Sequence, residues 1–529
     1  MINSIGSPTH TSASHADRNY ASDIDHQPFL PHKHKHHGKS KNITLALNQA
    51  LMFFDAQKSG NYPSNSPVKF RGSSGLQDGN TSNPPAELKG GFYDSGKNIK
   101  FSFPTAYTIT LLSWTVIEYH DKYDSIGELD HVGSNHTNGY NDVTCWQRPE
   151  DMNSMRPVSA CNETASDLAG EIMAALSAAS IVFKEDTGYS IKLIQSAEKL
   201  FEVATKNDTG HHQGTYTAVE DCGGEARMYY DSSGYQDELI WGATWLFFAT
   251  GNTSYLGYAT SNFSAAEGEE TASEQGVFYW NNKLTANAVL LTRLRYFHDL
   301  GYPYEVGLGS SSNKIDLLIC SYLSHEIYSR TPGGLILLRP DHGEPLQFAA
   351  TASFLGKLYS DYLELLRRSG VNYILGDNPM KMSYMVGFGN KYPNHVHHRA
   401  ASIPWDDQHY SCPEGDRWLY STDPNPNILF GAMVAGPDKF DNFLDDRDKP
   451  WFTEPTIASN AGLVAALIAL HDPPCKSSDS NGTNLGIDLT ARALKQTAEA
   501  LMRVAEEEEA RTTFVKIVVA TAFGIKNIA

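Results

Sequence analysis

The sequence predicts an all-α fold, in which helices form a barrel or toroid and long loops build a groove at one end. Apolar residues recur at helical spacing along most of the chain, whereas the alternation typical of β-strands is scarce. Long loops rich in glycine, proline, asparagine and tryptophan separate the helical segments. Hydrophobic residues make up 40% of the chain, which is ample for a large core.

Helical spacing of apolar residues is found in a series of segments. One of them, residues 167–183, is rich in alanine, so its backbone can pack closely against neighbouring helices. We predict helices at residues 44–54, 103–119, 167–183, 190–204, 237–249, 286–300, 348–366 and 462–470.

The chain divides into three predicted parts. Residues 1–41 are polar and rich in histidine and lysine, which favours a disordered segment over a metal site. Residues 42–473 hold all the helices predicted above and form one domain. Residues 474–529 are an atypical tail that we predict to be partly helical, and the sequence indicates no function for it.

Charge and cysteine content exclude several kinds of function. The formal net charge of −19 argues against binding to nucleic acid or to a polyanionic substrate, and it suits a neutral ligand such as a polysaccharide. The six cysteines are widely spaced without a CxxC pair, so a metal framework is not expected, and their disulfide pairing stays open. We expect no cofactor and no catalytic metal, and a structural calcium ion stays open.

Signals for the cellular compartment conflict. The density of Asn-x-Ser/Thr sequons indicates a glycoprotein of the secretory pathway. In contrast, residues 1–41 lack the apolar segment of a signal peptide, and no apolar run reaches the length of a membrane span. The sequons begin at Asn42, Asn80, Asn135, Asn162, Asn207, Asn252, Asn262 and Asn481.

Residues 441–456 combine several acids with aromatic residues and lead into the apolar run at 462–470. A carboxylic acid in a half-apolar wall is kept protonated at neutral pH, because desolvation raises its pKa. We expect Glu454 to be such an acid. Aromatic faces beside carboxylates are also surfaces on which sugar rings stack. The alternative is a polar surface loop, with Glu454 capping the helix that follows.

Several motifs identify a family. They are GGFYDSGKNIKF at residues 90–101, CWQRPED at 145–151, YILGDNPMKMSYMVGFGNKYPNHVHHR at 373–399, NPNILFGAMVAGPDKFDNF at 425–443 and TEPTIASNAGLVAAL at 453–467. With these motifs the chain resembles glycoside hydrolase family 9, the inverting endo-1,4-β-glucanases, or cellulases. Within that family it is most similar to the plant KORRIGAN-type membrane-anchored enzymes. The likeness runs from about residue 42 to residue 472, so residues 42–473 are the predicted catalytic domain.

The resemblance implies a six-hairpin (α/α)6 barrel with an open substrate cleft. It also implies roles for single residues. Glu454 matches the protonated acid that donates to the leaving glycosidic oxygen. His397 and Arg399 match the signature residues that hold sugar hydroxyls, and Asp445 matches an active-site aspartate that orients its neighbours, although an Asp–Arg pair would equally make it scaffold. The further substrate-binding candidates are His398, Arg447 and Trp451.

The water-activating element departs from the family pattern. The family has Asp-Ala-Gly-Asp, whereas this chain has Asp94-Ser95-Gly96-Lys97, so Lys97 occupies the position of the principal base. An ammonium group donates hydrogen bonds and cannot accept the proton of water. Loss of a general base typically lowers the rate about 10²–10⁴-fold. Asp94 remains as a water-orienting carboxylate, and we expect its cationic neighbour to lower its pKa.

Further departures lie near the predicted groove. The family's Trp-Arg-Gly motif is Phe70-Arg71-Gly72 here, and an aromatic expected after the Asp445 loop falls on Pro450. Between residues 362 and 373 the chain is shorter than its relatives. The predicted catalytic residues are thus Glu454, Asp94, Asp445 and His397.

Two functions follow from these motifs. The first is an endo-1,4-β-glucanase that hydrolyses cellulose-like glucans with inversion in plant cell-wall metabolism. Its two carboxyl groups stand roughly 6.5–9.5 Å apart, so that a water fits between base and sugar. The alternative is a weakened or inactive glucan-binding relative, because of Lys97. We expect a monomer in the secretory pathway, at the plasma membrane or in the cell wall. The resemblance leaves open an association with the cellulose-synthesising machinery.

Overall fold

The structure is a computed structural model, and it describes residues 41–80, 89–123, 146–152, 156, 159, 161, 164–206, 212–219, 222, 224–298, 300–323, 327–363, 369–406 and 408–471. The predicted N-terminal segment, apart from Lys41, and the predicted C-terminal tail lie outside the described residues.

The described residues form α-helices that are connected by loops, short 3-10 turns and isolated β-bridges. The helices are α1 Ile43–Ala56, α2 Ser102–Tyr123, α3 Ser166–Val182, α4 Thr187–Ala204, α5 Gln236–Thr250, α6 Thr253–Glu269, α7 Leu284–His298, α8 Glu305–Leu323, α9 Pro345–Leu363, α10 Ser369–Ile374, α11 Arg399–Ser402, α12 Cys412–Leu419, α13 Pro450–Thr453 and α14 Ile457–Leu470.

Six of these helices form a closed inner ring. Helix α2 packs on α3, α3 on α5, α5 on α7, α7 on α9, α9 on α14, and α14 back on α2. Helices α1, α4, α6, α8 and α10 pack around this ring, each against one or more of its members. This arrangement is an (α/α)6 barrel, and the predicted all-α barrel is confirmed.

The inner helices are nearly free of exposed side chains. Every residue of α14 is buried, and so is all of α3 except its last two residues. Alanine, glycine and serine supply much of both helices, so the helix backbones approach closely. The indole rings of Trp114, Trp241 and Trp245 fill the core in edge-to-face pairs with ring centroids 5.6–5.9 Å apart.

The helices predicted within residues 42–473 are all present, with ends that differ by a few residues. Two long helices, α6 and α8, were not predicted. Both contain several glycine and serine residues, which have low helix propensity and weaken the apolar pattern. Tertiary packing overrides this preference, because α6 packs on α5 and α8 on α7.

Some of the cysteines are oxidised. Cys161 and Cys222 form a disulfide, and Cys412 is also disulfide-bonded. Among the described residues, Cys320 is a free and exposed thiol. Structural disulfides are typical of oxidising compartments.

None of the helices in the described ranges is long and apolar enough to cross a membrane.

A buried ion cluster joins three consecutive inner helices. Lys283, directly before α7, lies 2.9 Å from Glu171 of α3 and 3.0 Å from Glu238 of α5. All three side chains are at most 1% exposed. Because a buried charge is tolerated only when it is paired, the lysine and the two acids depend on one another.

Replacing Lys283 by methionine is expected to lower the free energy of unfolding by about 3–5 kcal/mol, because it leaves buried acids without their cation. Urea unfolding followed by circular dichroism measures this loss. Lys439→Met is the matched control, since its ion pair with Asp341 is exposed and is expected to contribute at most about 1 kcal/mol. Equal losses in the two variants would contradict the structural role of Lys283.

Candidate active site

A cavity of about 410 Å³ lies where the inner helices begin. Its walls come from the segments directly before α2, α5, α7, α9 and α14, together with the first turns of several of these helices. The N-terminal end of a helix carries a partial positive charge, which stabilises nearby carboxylates. Asp94, Glu454 and Glu344 all line this cavity.

Asp94 is a buried hydrogen-bond acceptor that lines the cavity. Its side chain accepts from the Tyr230 hydroxyl at 2.7 Å and from the backbone N–H of Ile457, the first residue of α14, at 3.1 Å. The residue is 2% exposed. Both donors favour a carboxylate that is held in one orientation, which is what a water-orienting group requires.

The expected effect of Lys97 on Asp94 is not found. Burial raises the pKa of the Asp94 carboxyl, the hydrogen bonds from Tyr230 and Ile457 oppose this rise, and the charge of Glu454 adds to it. The sequence-based expectation of a lowered pKa was therefore wrong. Adjacency in the chain suggested that Lys97 would act on Asp94, but its ammonium group pairs with another acid.

Lys97 pairs with Glu454. Its Nζ lies 3.6 Å from Oε2 of Glu454 and 5.2 Å from the ring centre of Tyr229. Oε1 of the same carboxylate accepts from the backbone N–H of Gly96 at 3.2 Å. The side chains of Lys97 and Glu454 are 19% and 8% exposed, so water screens this pair only weakly.

This pair reverses the expected protonation of Glu454. Burial acts to raise the pKa of Glu454, but Lys97 and His397 act against it. The N–H of Gly96 and the charge of Arg399 oppose it as well, and the pKa falls below its usual value. The prediction of a raised pKa and a protonated acid at neutral pH is thus wrong. Burial is the largest single influence on Glu454, but Lys97, His397, Gly96 and Arg399 together outweigh it.

The possibility that Glu454 only caps the following helix does not match the structure. Thr456 is the N-cap of α14, and it exchanges hydrogen bonds with Ser459. Glu454 instead ends α13 and directs its carboxylate to the cavity.

Gly96 fixes the position of this loop. A Cβ atom on Gly96 would lie 1.7 Å from the carbonyl oxygen of His397, so no other residue fits there. The Gly96 carbonyl accepts from Nη1 of Arg399 at 3.1 Å and from its backbone N–H at 3.3 Å. Arg399 is 2% exposed and lies 4.8 Å from the ring centre of Trp146. Arg399 thus holds the loop of Lys97 in place, and its charge also acts on Glu454.

The two adjacent histidines have different environments. Nδ1 of His397 is 2.6 Å from the carbonyl oxygen of Arg447, and burial lowers the pKa of His397. Its ring packs edge-on against Trp146, with centroids 4.6 Å apart. Both ring nitrogens of His398 are engaged within the protein, one with Gln57 at 2.8 Å and one with the N–H of Ala401 at 3.1 Å.

Arg447 and Asp445 also make their contacts inside the protein. Arg447 is 1% exposed and donates to Asn425 and to backbone carbonyls between residues 418 and 423. Asp445 accepts from the backbone N–H groups of Asn394 at 2.9 Å and His395 at 3.0 Å. His398 and Arg447 thus brace the loops around the cleft, and their predicted contact with substrate stays a prediction.

The tryptophans of this region and of the core lie in different environments. Trp241 belongs to the core, and Trp146 is buried against His397. Trp280 and Trp451 line the cavity, and Trp451 is 52% exposed. Trp451 therefore offers an open face on which a sugar ring can stack, although the aromatic is displaced by one position from the family pattern.

Several cavity residues were missed by the sequence reasoning. Tyr230 orients Asp94, and the segment before α9 contributes Arg339, His342 and Glu344 to the lining. The visible signal was a group of charged residues immediately before the predicted helix at 348–366. Within the described part of the chain, no three His, Cys, Asp or Glu side chains are arranged to hold a metal ion.

Gly96→Ala is expected to destabilise the protein and displace Lys97 from Glu454, because the new methyl group collides with a backbone carbonyl. A loss of at least about 2 kcal/mol in unfolding free energy is expected, as for other severe overpacking. Gly188→Ala on α4 is the control, since a Cβ there meets nothing within 4 Å. An unchanged melting temperature for Gly96→Ala would refute the close approach.

Comparisons with known proteins identify the family of the chain. Residues 44–467 match the model of glycosyl hydrolase family 9. The chain is 44% identical over 497 residues to Endoglucanase 25 of Arabidopsis thaliana, covering 82% of this chain and 79% of that protein. It is 43% identical over 513 residues to Endoglucanase 10 of Oryza sativa subsp. japonica, covering 86% and 81%.

Solved structures show the same architecture. An endoglucanase from the termite Nasutitermes takasagoensis matches with a TM-score of 0.68 and 30% identity, covering 82% of this chain and 99% of that chain. The cellulase Cel9M of C. cellulolyticum in complex with cellobiose matches with a TM-score of 0.66 and 26% identity, with the same coverage. The KORRIGAN-type subgroup stays a prediction, whereas the family resemblance is confirmed: the chain belongs to glycosyl hydrolase family 9.

Proposed function

We propose that this protein is an endo-1,4-β-glucanase that binds a β-1,4-glucan across the cavity and hydrolyses it with inversion. The observation that carries the proposal is the placement of Asp94 and Glu454 in one cavity, beside the exposed face of Trp451. Membership of glycosyl hydrolase family 9 supports the hydrolysis of a glycosidic bond. The endoglucanase relatives and the cellulase bound to cellobiose support a β-1,4-glucan as the substrate.

The two acids have distinct chemical tasks in this proposal. Glu454 donates its proton to the leaving glycosidic oxygen while the C1–O bond breaks. Asp94 accepts a proton from the water that attacks C1 from the opposite face. Trp451 holds a sugar ring by stacking. The proton gained by Asp94 returns to solvent, Glu454 takes one up, and the cycle is closed.

The Lys97–Glu454 pair favours a second function, a glucan-binding protein with little hydrolytic activity. A general acid works only in its protonated form, and the lysine holds Glu454 as a carboxylate at neutral pH. Lys97 thus opposes both steps, because it replaces a base and also ionises the acid. Neither the loss of the base nor the ionisation of Glu454 prevents glucan from binding in the cleft.

Lys97→Asp is expected to raise the hydrolysis of carboxymethylcellulose about 100-fold or more, because it restores a base and releases Glu454 from its cation. Reducing ends released by the purified full chain are the measurement. Glu454→Gln is added in both backgrounds and is expected to abolish the activity. If the wild type turns over rapidly and Lys97→Asp has no effect, Lys97 does not limit catalysis.

The pH dependence of hydrolysis is expected to move with residue 97. On the acid side, activity falls as Asp94, whose pKa is raised by burial, becomes protonated and can no longer act as a base. On the alkaline side, activity falls as the pH rises through the pKa of Glu454, which is lowered in the wild type. In Lys97→Met the lysine no longer opposes the effect of burial, so the pKa of Glu454 rises and the alkaline fall in activity occurs at higher pH. Rates between about pH 3 and pH 8 measure the shift, and superimposable profiles would contradict the ion pair.

The proposal also includes the cellular compartment of the protein and its binding partners. The disulfide between Cys161 and Cys222 and the exposed N-cap sequons Asn42 and Asn252 support work in the secretory pathway or cell wall. A neutral glucan suits the acidic chain, and nucleic acid does not. We retain a monomer as the working state and leave the cellulose-synthesising machinery as an expectation from the resemblance.

A further inference from the structure

A third carboxyl group, which no family motif includes, lies in the cavity. Glu344 directly precedes α9 and lines the same volume of about 410 Å³ as Asp94, Lys97 and Glu454. Its Oε2 accepts from Nε2 of Gln347, in the first turn of α9, at 2.7 Å. The side chain is thereby tied to the helix end that faces the cavity.

The backbone at Glu344 is strained. Its φ of +60° lies in the left-handed region, which residues with a side chain adopt at an energetic cost. Among the described residues other than glycine, Ser95 has the same φ, and it also lines the cavity. Strain of this kind persists where the surroundings over-determine it, and it is frequent at functional sites.

Charged groups approach Glu344 from several elements. Its own segment contributes the guanidinium of Arg339 and the imidazole of His342 to the same cavity, and the other walls contribute Lys97, Asp94 and Glu454. Burial raises the pKa of Glu344 to about 7, Glu454 and Asp94 add to the rise, and Lys97 opposes it. Near neutral pH a large fraction of Glu344 therefore carries a proton, whereas Glu454 does not.

We propose that Glu344 contacts the bound glucan and that it does so as the uncharged acid. The inference rests on the proposed function of the cavity as a glucan site. An uncharged carboxyl group donates through its O–H and accepts through its C=O, which suits the hydroxyl groups of a sugar. None of the motifs that identify the family includes Glu344, so this contact adds a residue to the cleft.

The direction of the pH effect follows from desolvation. A glucan that covers Glu344 removes water from it, and this removal costs more for the carboxylate than for the acid. Bound glucan therefore raises the pKa of Glu344. The affinity is full below the pKa of the free protein and falls as the pH rises above it.

The test is the binding of a sulfur-linked, non-hydrolysable cellohexaose to the full chain by isothermal titration calorimetry. If glucan raises the pKa by about one unit, the dissociation constant increases about fivefold between about pH 6 and pH 8. Glu344→Gln, which mimics the uncharged acid, is expected to bind at pH 8 as tightly as the wild type at pH 6. Its dissociation constant is expected to stay constant between these pH values.

Two controls isolate Glu344. Asp341→Asn removes a neighbouring carboxylate whose side chain is 85% exposed, and it is expected to keep the wild-type pH dependence. His342→Gln tests the imidazole in the cavity wall. Burial lowers the pKa of His342 below 6.5, so its loss leaves the weakening above pH 7 in place. Thermal unfolding of each variant checks that the fold is retained.

Each outcome decides a claim. Binding by the wild type that does not change with pH, or an unchanged pH dependence in Glu344→Gln, overturns the role of Glu344 while the glucan site stands. Absence of binding in the wild type and in every variant overturns the proposed function, and the role of Glu344 falls with it. Loss of the pH dependence in Glu344→Gln alone supports the proposal.

Discussion

The cleft depends on one close approach between two loops. At Gly96 the loop of Asp94 and Lys97 lies so near the carbonyl of His397 that a side chain cannot fit. The N–H of Gly96 contacts Glu454, and its carbonyl contacts Arg399. Because the backbone at Gly96 is fixed in this way, the side chain of residue 97 is placed next to the carboxylate of Glu454.

This constraint explains why one replacement acts on two catalytic roles. The inner helices already direct their positive ends toward the cavity, which favours carboxylates there. The negative charge of an aspartate at position 97 would reduce this positive potential in the cavity, whereas the positive charge of Lys97 increases it. The pKa values of the two acids consequently shift in opposite directions. Burial dominates at Asp94, whereas at Glu454 the combined effects of Lys97, His397, Gly96 and Arg399 outweigh burial.

Much of the fold and part of the site followed from the sequence. Apolar spacing located the inner helices, since their side chains must be buried on most faces, and the motifs around Asp94 and Glu454 located the cavity. The pairing of Lys97 with Glu454 could not be foreseen, because it joins residues far apart in the chain whose distance depends on Gly96. Glu344 was missed for a related reason: an acid before a helix is ordinarily a solvated N-terminal residue, and only ring closure encloses it.

The closed ring of six inner helices has a consequence for biosynthesis. Asp94 accepts a hydrogen bond from Ile457, 363 residues later in the chain, and α2 packs directly on α14. The barrel cannot close until the ribosome has released α14, and the apolar faces of α2 and α9 lack a partner until then. Such long-range closure slows folding and exposes intermediates to aggregation. During synthesis the faces of α2 and α9 that pack on α14 therefore stay uncovered until this last inner helix is available.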